Sequence, residues 1–555
     1  MPHNKNIIII LSAIAAVALL SYLRMIPAIG NEVEFKFDRA FNYRMTVAVL
    51  QEGDVPAIDY LSTYPEGKNI KAFLPTGLYH VAAFFHKLVN KFVSIPLSRS
   101  ILIFCSVCGA LIFLPVYFLS CAIYRSKFIA CVTGVLAGII PAYLHRTFCY
   151  WYRYEVLATP LLFMSLLFFV RASGAKNAAK KVLHTVFSIT FLGMAMSVWR
   201  LSILFIVPYA IFILYVQFEK AKPVKKWAVG LGLFLVLFGF IAILGNKQPL
   251  SGYIAFPKAA FQIILHNMGI NRQFSEFTRL VYYNRELHGI NPLDMFSAAY
   301  LSLSGIFIIV YFISYFKTRP RPYEKSVLFI FLIFYLIMTF LFSRNKIILG
   351  PLAALTVGES LSLTLKNRKE TLWRNLLFCL IVVILMKTGY DSYKLAATRQ
   401  AGIKLNPYLK ESLNYINRET PKDSAILSYW ADGYPIQTYC GRPTITDGLL
   451  ESPEIVKRII ALSKIYYFND ENALLDFCEK YKAGYILVPV NRKRVYAGYA
   501  GVDYNKYYFS GRPAPLASQT LLYNLIYEPD GLNNFVLVAK NRGFLLFRVN
   551  NQSPS

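Results

Sequence analysis

Acidic residues are scarce in this chain of 555 residues, in which 30 Asp and Glu stand against 59 Lys and Arg, a formal net charge of +29. In a water-soluble protein such an excess would indicate a nucleic-acid partner. However, hydrophobic residues make up 56% of the sequence, which is typical of a polytopic α-helical membrane protein. In that class the Lys and Arg residues concentrate in short cytoplasmic loops. We therefore expect membrane lipids as partners, and no nucleic acid.

Cysteine is also sparse, at 8 residues. Cys105 and Cys108 form a CxxC inside a predicted span, where packing is favoured over a redox or zinc role. A disulfide between Cys440 and Cys478 stays open as an alternative to free thiols. The sequence also has no long internal repeat and no convincing signal cleavage site after the apolar run 7–29. We expect that run to be an uncleaved first span with its N-terminus in the cytoplasm.

Apolar stretches recur through residues 1–387 and predict a transmembrane domain of about 11 helices, or up to about 13 if a pair is missed. The predicted spans are 7–29, 100–124, 128–144, 156–170, 182–218 (folding back near Trp199–Arg200), 227–244, 295–316, 327–342, 347–365 and 376–386. Two charged stretches, about 30–99 and 245–294, are predicted as long external loops. Part of the first, 73–95, has the pattern of an amphipathic helix on the membrane surface. Residues 388–555 change to a mixed pattern that predicts a water-facing α/β domain.

The alternation of spans places four basic loops on one side, RASGAKNAAKK, EKAKPVKK, KTRPRPYEK and KNRKE. The positive-inside bias identifies that side as the cytoplasm. The same alternation places Asp38, residues 145–155, Glu276 and Arg344 on the other side, together with the C-terminal domain. The sequence therefore predicts one external site in a multi-pass plasma (inner) membrane protein.

Each candidate residue also has an ordinary structural explanation. The turn 145–155, HRTFCYWYRYE, could be an aromatic belt with an incidental Arg–Glu pair. Asp38 could be a solvated acid, Glu155 a helix cap, and Glu276 part of an interfacial helix. Arg344 could be a snorkelling arginine, Trp430 a core aromatic and Asp432 a turn acid.

Taken in order, these segments resemble the catalytic membrane subunit of the oligosaccharyltransferase family. FDRAFNYR, at 37–44, is similar to the family's first external-loop motif, whose metal-binding aspartate falls on Asp38, and YPEGK and PTGL within 64–78 follow as landmarks. RTFCYWYRYE resembles the second-loop motif and matches it at Arg146, Tyr152 and Glu155.

The later motifs follow in the same order. FSEF is similar to the short motif of the family's late external loop, and Glu276 falls on the glutamate of that motif. Arg344 resembles an arginine that contacts the lipid-linked diphosphate. SYWADGYPI, followed by GRPTITDG, looks like the signature Trp-Trp-Asp segment that reads the hydroxyl of an Asn-x-Ser/Thr sequon. Trp430 falls on its second tryptophan, and Asp432 is offset by one position from its aspartate.

The resemblance implies a GT-C-like fold and an inverting, metal-dependent membrane glycosyltransferase. Its donor would be a polyprenyl-diphosphate-linked glycan, and its acceptor a protein asparagine or a glycan, at the external membrane face. Asp38, Glu155 and Glu276 would be catalytic and would hold Mn²⁺ or Mg²⁺, hard cations that prefer oxygen ligands. The substrate-binding residues would be Arg146, Tyr152, Arg344, Trp430 and Asp432.

The sequence departs from the family pattern at two sites. Arg153 stands where the second-loop motif carries an aspartate, and Ala431 where the Trp-Trp-Asp segment carries one, with Tyr429 in place of the first tryptophan. A related glycosyltransferase acting on a glycan or lipid acceptor is therefore an alternative. A transporter is a third, which the placement of the acids in external loops and the lack of repeated halves argue against.

Overall fold

The computed structural model describes residues 3–220, 301–318, 322–366, 371–398, 404–448, 452–468 and 470–550, and single positions 262, 278, 297 and 450. Contacts divide the chain into two units. The first contains Met1–Val33, Pro75–Leu244 and Gly289–Ile403, and the second contains Glu34–Leu74, Gly245–His288 and Lys404–Ser555. The stretch predicted as a first external loop is thus divided, with its N-terminal half in the second unit.

All secondary-structure elements in the described residues of the first unit are helices. Its α-helices are His3–Met25, Gly77–Asn90, Leu97–Ala110, Phe113–Tyr124, Lys127–Ile139, Pro141–Leu144, Glu155–Gly174, Ala178–Val198, Ile206–Lys220, Ile306–Lys317, Tyr323–Leu341, Lys346–Lys366 and Thr371–Thr398. Short 3-10 turns lie at Ile26–Ala28, Arg200–Phe205, Ser302–Gly305 and Ser343–Asn345.

Within the described residues, seven helical segments are long and apolar enough to cross a membrane: Leu11–Ala28, Leu97–Tyr124, Glu155–Gly174, Ala178–Val198, Arg200–Gln217, Tyr323–Phe340 and Ser343–Leu365. Lys127–Ile139 and Ile306–Lys317 are shorter apolar helices. The chain is a polytopic helical membrane protein, as its composition predicts. The predicted span 227–244 and most of the loop 245–294, including Glu276, lie outside the described residues.

The helices begin and end for local reasons. The apolar stretch 182–218 breaks at Trp199, whose extended backbone (φ −139°, ψ 116°) ends Ala178–Val198, so the predicted fold-back is present. The predicted span 100–124 is interrupted after Ala110, and Pro115 lies in the first turn of the next helix, where its missing N–H costs no helical hydrogen bond.

A buried arginine ties the first span to the turn that carries the candidate site. Arg24 is wholly buried, and its guanidinium donates to the Thr147 hydroxyl at 3.1 Å and to the Gly138 carbonyl at 2.7 Å. Its own carbonyl accepts from the Cys149 amide at 3.2 Å. A buried cation is costly unless its donors are satisfied, and these bonds fix the turn against the helix.

The second unit combines helices with a sheet of four strands: β3 Ala425–Ser428, β4 Ala483–Pro489, β7 Phe535–Lys540 and β8 Phe544–Val549, in the order β3-β4-β8-β7. β3 and β4 are parallel and the other pairs antiparallel. Short two-stranded pairs are β1 Ile58–Asp59 with β2 Lys68–Asn69, and β5 Tyr508–Phe509 with β6 Arg512–Pro513.

The α-helices of the second unit are Asp38–Glu52, Ile70–Phe73, Pro407–Glu419, Trp430–Cys440, Pro453–Phe468, Glu471–Lys480, Lys493–Ala500, Tyr504–Tyr507 and Leu521–Tyr527. Short 3-10 turns lie at Val490–Arg492, Pro515–Gln519 and Pro529–Gly531. The mixed α/β character predicted for the C-terminal region is confirmed.

An amphipathic helix closes the core of this unit. Leu409, Leu413 and Ile416 recur at helical spacing on Pro407–Glu419 and pack against the sheet residues Ile426 and Leu487. No disulfide bond joins Cys440 and Cys478, which are both buried free thiols. The disulfide left open by the sequence is thus not formed.

Candidate functional site

Three arginines surround one buried carboxylate in the first unit. Glu155 opens the helix Glu155–Gly174, and its side chain has no solvent exposure. Its Oε1 accepts a hydrogen bond from Arg344 Nε at 2.8 Å and lies 3.6 Å from Arg146 Nη1, while its Oε2 lies 3.9 Å from Arg153 Nε. The structure therefore brings together three residues that the sequence placed in two separate loops, and adds Arg153 to them.

Aromatic rings hold the guanidinium groups of this cluster. Arg146 and Arg153 lie over the ring of Trp151, at 5.4 and 5.8 Å from its centroid. Arg344 lies 5.9 Å from the centroid of Trp199, the residue at which the preceding helix pair breaks. Such cation–π contacts favour a desolvated arginine and restrict its orientation. We call Arg146, Arg153, Arg344 and Glu155 the arginine cluster.

Tyr152, the other second-loop candidate, has a different environment. Its side chain is fully buried, and its ring meets the ring of Phe104 edge-on, with centroids 6.4 Å apart. The neighbouring Tyr154 hydroxyl lies 2.8 Å from that of Tyr79. In this structure Tyr152 packs the turn against the helix Leu97–Ala110. The Tyr152 side chain would have to become exposed before it could contact a substrate.

The donor set of the arginine cluster suits an anion better than a divalent cation. At an effective dielectric constant of about 20, two like unit charges about 4 Å apart repel by about 4 kcal/mol, and a divalent ion doubles that value. An ion on Glu155 would meet this repulsion from three guanidinium groups, although Oε2 of Glu155 accepts no hydrogen bond within the described part of the chain. The same guanidinium charges would attract phosphate oxygens, and the planar guanidinium group can donate two parallel hydrogen bonds to a phosphate.

The other two predicted metal ligands are Asp38 and Glu276, and their role as ligands stays a prediction. Among the described residues no group of three or more His, Cys, Asp or Glu could hold a metal ion. Asp38 belongs to the second unit, and Glu276 lies outside the residues that the structure describes. The described donors at Glu155 thus do not by themselves fit Mn²⁺ or Mg²⁺.

Asp38 begins the helix Asp38–Glu52 after a strained residue. Phe37 has φ 56° and ψ −142°, a backbone conformation that residues with a side chain rarely adopt and that recurs at functional sites. Asp38 lies beside Gly448, the last residue of the GRPTITDG segment. A Cβ added to Gly448 would lie 3.3 Å from Asp38 Oδ1 and 2.6 Å from the Tyr434 ring. Phe41 packs on Tyr434 as well, with centroids 4.8 Å apart. The first and the last predicted motifs therefore meet within the second unit.

A buried polar network supports this meeting point. Arg44 pairs with both carboxylate oxygens of Asp59, at 2.8 and 2.6 Å, and donates to Gln437 Oε1 at 2.9 Å. Gln437 in turn donates to Asp447 Oδ2 at 3.2 Å, and the Ser62 hydroxyl bonds the same carboxylate. The carboxylate of Asp59 raises the pKa of Arg44, opposing the effect of burial. Sequence reasoning did not single out Asp59, since nothing local distinguishes it from the other acids of its loop.

The interpretation of Asp432 as a turn acid was wrong. Trp430 and Asp432 occupy the first turn of the helix Trp430–Cys440, which is separated from β3 by one residue. The Trp430 indole donates to the Tyr499 hydroxyl at 3.2 Å. Asp432 is buried, which raises the pKa of its carboxyl to about 7, although the charge of Arg492 opposes this rise.

Comparisons with known proteins agree with this architecture. The model of the family described as oligosaccharyl transferase STT3, N-terminal, matches residues 7–348. No curated protein matches the sequence. Among solved structures, the oligosaccharyltransferase AglB of Archaeoglobus fulgidus, in complex with an inhibitory peptide and a dolichol-phosphate, is similar with a TM-score of 0.69 at 13% identity, covering 95% of this chain and 79% of that one.

Two further structures share the fold. The oligosaccharyltransferase of Archaeoglobus fulgidus in complex with Zn and sulfate gives a TM-score of 0.68 at 14% identity, covering 95% of this chain and 79% of that one. ArnT from Cupriavidus metallidurans, bound to undecaprenyl phosphate, gives 0.51 at 11% identity, covering 97% of each chain. At these identities the likeness shows a shared GT-C-like fold.

Proposed function

Because this chain belongs to the STT3 oligosaccharyltransferase family, whose model matches residues 7–348, we propose that it transfers a sugar or oligosaccharide from a polyprenyl-diphosphate donor to an acceptor. The transfer takes place at the external face of a plasma membrane, and protein asparagine is the first candidate acceptor. The observation that carries this proposal is the arginine cluster at the start of the candidate span Glu155–Gly174. A lipid-linked donor cannot leave the bilayer, so its phosphates must be bound where a span ends.

The arginine cluster would bind the diphosphate of the donor. Arg344 and Arg146 offer guanidinium donors that pair with phosphate oxygens, and charge-assisted hydrogen bonds of this kind are among the strongest in proteins. The solved relatives support this ligand class, since AglB was determined with dolichol-phosphate and ArnT with undecaprenyl phosphate. In the reaction the same positive charges would stabilise the diphosphate as it departs.

The transfer step is a displacement at the anomeric carbon. The acceptor's nitrogen or hydroxyl oxygen forms a bond to that carbon, and the bond from the carbon to the diphosphate oxygen breaks, with its electron pair leaving on the diphosphate. The acceptor's proton passes to a carboxylate near the nucleophile, for which Asp38 and Glu276 are the two candidates. Attack from the face opposite the leaving group inverts the configuration, as the family resemblance implies.

The resemblance would also place Mn²⁺ or Mg²⁺ on Asp38, Glu155 and Glu276, where a divalent ion would neutralise charge on the leaving diphosphate. The guanidinium groups around Glu155 disfavour that ion. The proposed steps therefore use the arginines and carboxylates of the chain and pass through no metal.

A second candidate is transfer to a glycan or lipid acceptor by the same chemistry. It is favoured by the environment of the altered Trp-Trp-Asp segment. The Trp430 indole is hydrogen-bonded to Tyr499, Asp432 is buried, and Ala431 offers no polar group. These side chains are engaged within the unit and would have to rearrange to read the hydroxyl of a sequon.

The test compares envelope glycans in cells with and without the gene, using mass spectrometry. Loss of a glycan from Asn-x-Ser/Thr sites on deletion supports the first candidate, and loss from a glycan or lipid alone supports the second. Complementation with Arg344→Ala should fail, whereas Arg171→Ala, at the far end of the Glu155–Gly174 helix and exposed, should restore the glycan. If deletion changes no glycan, the chain is not a glycosyltransferase of this kind.

A further inference from the structure

The arginine cluster contains one more positive charge than the motif match predicts. Glu155 is wholly buried, and Arg146 and Arg153 are only 3% and 8% exposed. All three guanidinium groups reach within 4 Å of its carboxylate, Arg344 at 2.8, Arg146 at 3.6 and Arg153 at 3.9 Å. The surplus is Arg153, which stands where the second-loop motif has an aspartate.

An arginine in place of an aspartate changes the local charge by two units. An aspartate at position 153 would be a second carboxylate beside Glu155, as hard divalent cations require. With Arg153 at this position, that oxygen ligand is absent and a fixed cation lies 3.9 Å from Glu155 Oε2. The substitution therefore weakens binding of a metal ion and strengthens binding of phosphate at the same place.

The position of Arg153 is built rather than incidental. Trp151 lies between two guanidinium groups, with Arg146 and Arg153 at 5.4 and 5.8 Å from its ring centroid. The turn that carries them is fixed to the first span through the bond from Arg24 to Thr147. Both arginines are thus held near Glu155 with little freedom to move away, as a preorganised site for an anion requires.

We propose that Arg153, together with Arg146 and Arg344, takes the place of a divalent ion, so that this chain binds and stabilises the diphosphate of its donor without a metal. The inference rests on the proposed function for the identity of the ligand as a lipid diphosphate. The role of Arg153 is electrostatic: its guanidinium donates to phosphate oxygens that a metal ion would otherwise bind.

The first experiment measures binding of inorganic pyrophosphate to the purified full-length protein by calorimetry, in EDTA and in Mn²⁺. We expect binding in EDTA, with an affinity that changes by less than about threefold in Mn²⁺ after correction for the Mn²⁺–pyrophosphate complex. Binding that requires Mn²⁺, or no binding in either condition, would overturn the proposal.

Variants of Arg153 give the second measurement. Arg153→Asp should weaken pyrophosphate binding in EDTA by about ten- to a hundredfold, the value of a charge-assisted hydrogen bond, and should make the remaining binding dependent on Mn²⁺. Arg153→Lys keeps the charge and should bind with intermediate affinity and no Mn²⁺ dependence. Thermal unfolding of both variants checks that they fold, and if Arg153→Asp does not, Arg153→Gln replaces it with the same expected loss. Unchanged affinity in the folded variants contradicts the role of Arg153.

These measurements also separate the inference from the proposed function. If pyrophosphate binds in EDTA but the protein transfers no glycan, the proposed reaction fails while the metal-free anion site stands. If glycan is transferred only when Mn²⁺ or Mg²⁺ is added, the proposed reaction stands and the metal-free site is wrong.

Discussion

Arg344 donates from its Nε to Oε1 of Glu155 at 2.8 Å, across 189 residues of sequence. Arg344 lies in the 3-10 turn before Lys346–Lys366, and Glu155 begins Glu155–Gly174. The bond therefore joins the starting ends of two candidate membrane spans. Since the carboxylate is wholly buried, the pair holds the arginine cluster together.

Replacement of Glu155 by Gln should weaken both the fold and the reaction. Removing one partner of a buried ion pair leaves the other charges uncompensated and costs about 3–5 kcal/mol. We expect a clearly lower unfolding temperature of the purified protein and loss of glycan transfer. Glu411→Gln, on an exposed position of Pro407–Glu419, is the control and should change neither. An unfolding temperature unchanged in Glu155→Gln would contradict the importance of the pair.

Two glycine substitutions test whether Arg24 positions the candidate site. A Cβ at Gly109 would come within 2.6 Å of Arg24 Nε and 2.8 Å of Thr147 Cβ, whereas a Cβ at Gly193 meets nothing within 4 Å. Gly109→Ala should therefore displace the guanidinium from the turn, lowering thermal stability by about 1–3 kcal/mol and reducing transfer. Gly193→Ala should be neutral or slightly stabilising, since alanine favours a helix. Equal effects of the two substitutions, measured by unfolding and by transfer, would show that Arg24 does not set the geometry of the turn.

The sequence predicts features that depend on local patterns. Hydrophobic length identifies the spans, and the break at Trp199 follows from a stretch too long for one crossing. The sequence does not reveal partners brought together by folding, such as Arg24 with Thr147 or Arg44 with Asp59. These pairs depend on tertiary contacts that no spacing encodes.

Motif order found the parts of the candidate site but not their charge balance. The match assigned Glu155 to a metal and Arg344 to the donor, while the structure pairs the two with each other. The departure at Arg153 is visible in the sequence, but only the distance of 3.9 Å from Glu155 shows that it acts on the same carboxylate. A residue that differs from its family motif is thus informative once its neighbours are known.

Substitution of Gly448 tests the packing beside Asp38. An added Cβ would lie 2.6 Å from the Tyr434 ring and 3.3 Å from Asp38 Oδ1, so Gly448→Ala should push the carboxylate from its position. Because displacements of about 1 Å at a reacting group can cost about a hundredfold in rate, we expect transfer to fall by at least about tenfold. Pyrophosphate binding should stay as in the wild type, since the arginine cluster belongs to the other unit.

The matched control for Gly448 is Gly531→Ala, where a Cβ meets nothing within 4 Å. It should leave transfer and thermal stability unchanged. A Gly448→Ala protein that folds and transfers glycan at the wild-type rate would show that the position of Asp38 beside Gly448 is not needed for the reaction.

Asp432 should make the stability of the second unit depend on pH. Burial raises the pKa of its carboxyl from 3.8 to about 7, so between these values the folded protein keeps a proton that the unfolded chain releases. The stability that this proton contributes is fully present below the lower value, and it is lost as the pH rises through about 7, by up to about 1.4 kcal/mol per pH unit. In Asp432→Asn, which cannot ionise, the unfolding temperature should fall less between about pH 5 and pH 8. The exposed Asp530→Asn is the control and should follow the wild type. A wild-type profile parallel to that of Asp432→Asn would mean that the carboxyl titrates at its ordinary pKa and is not held protonated by burial.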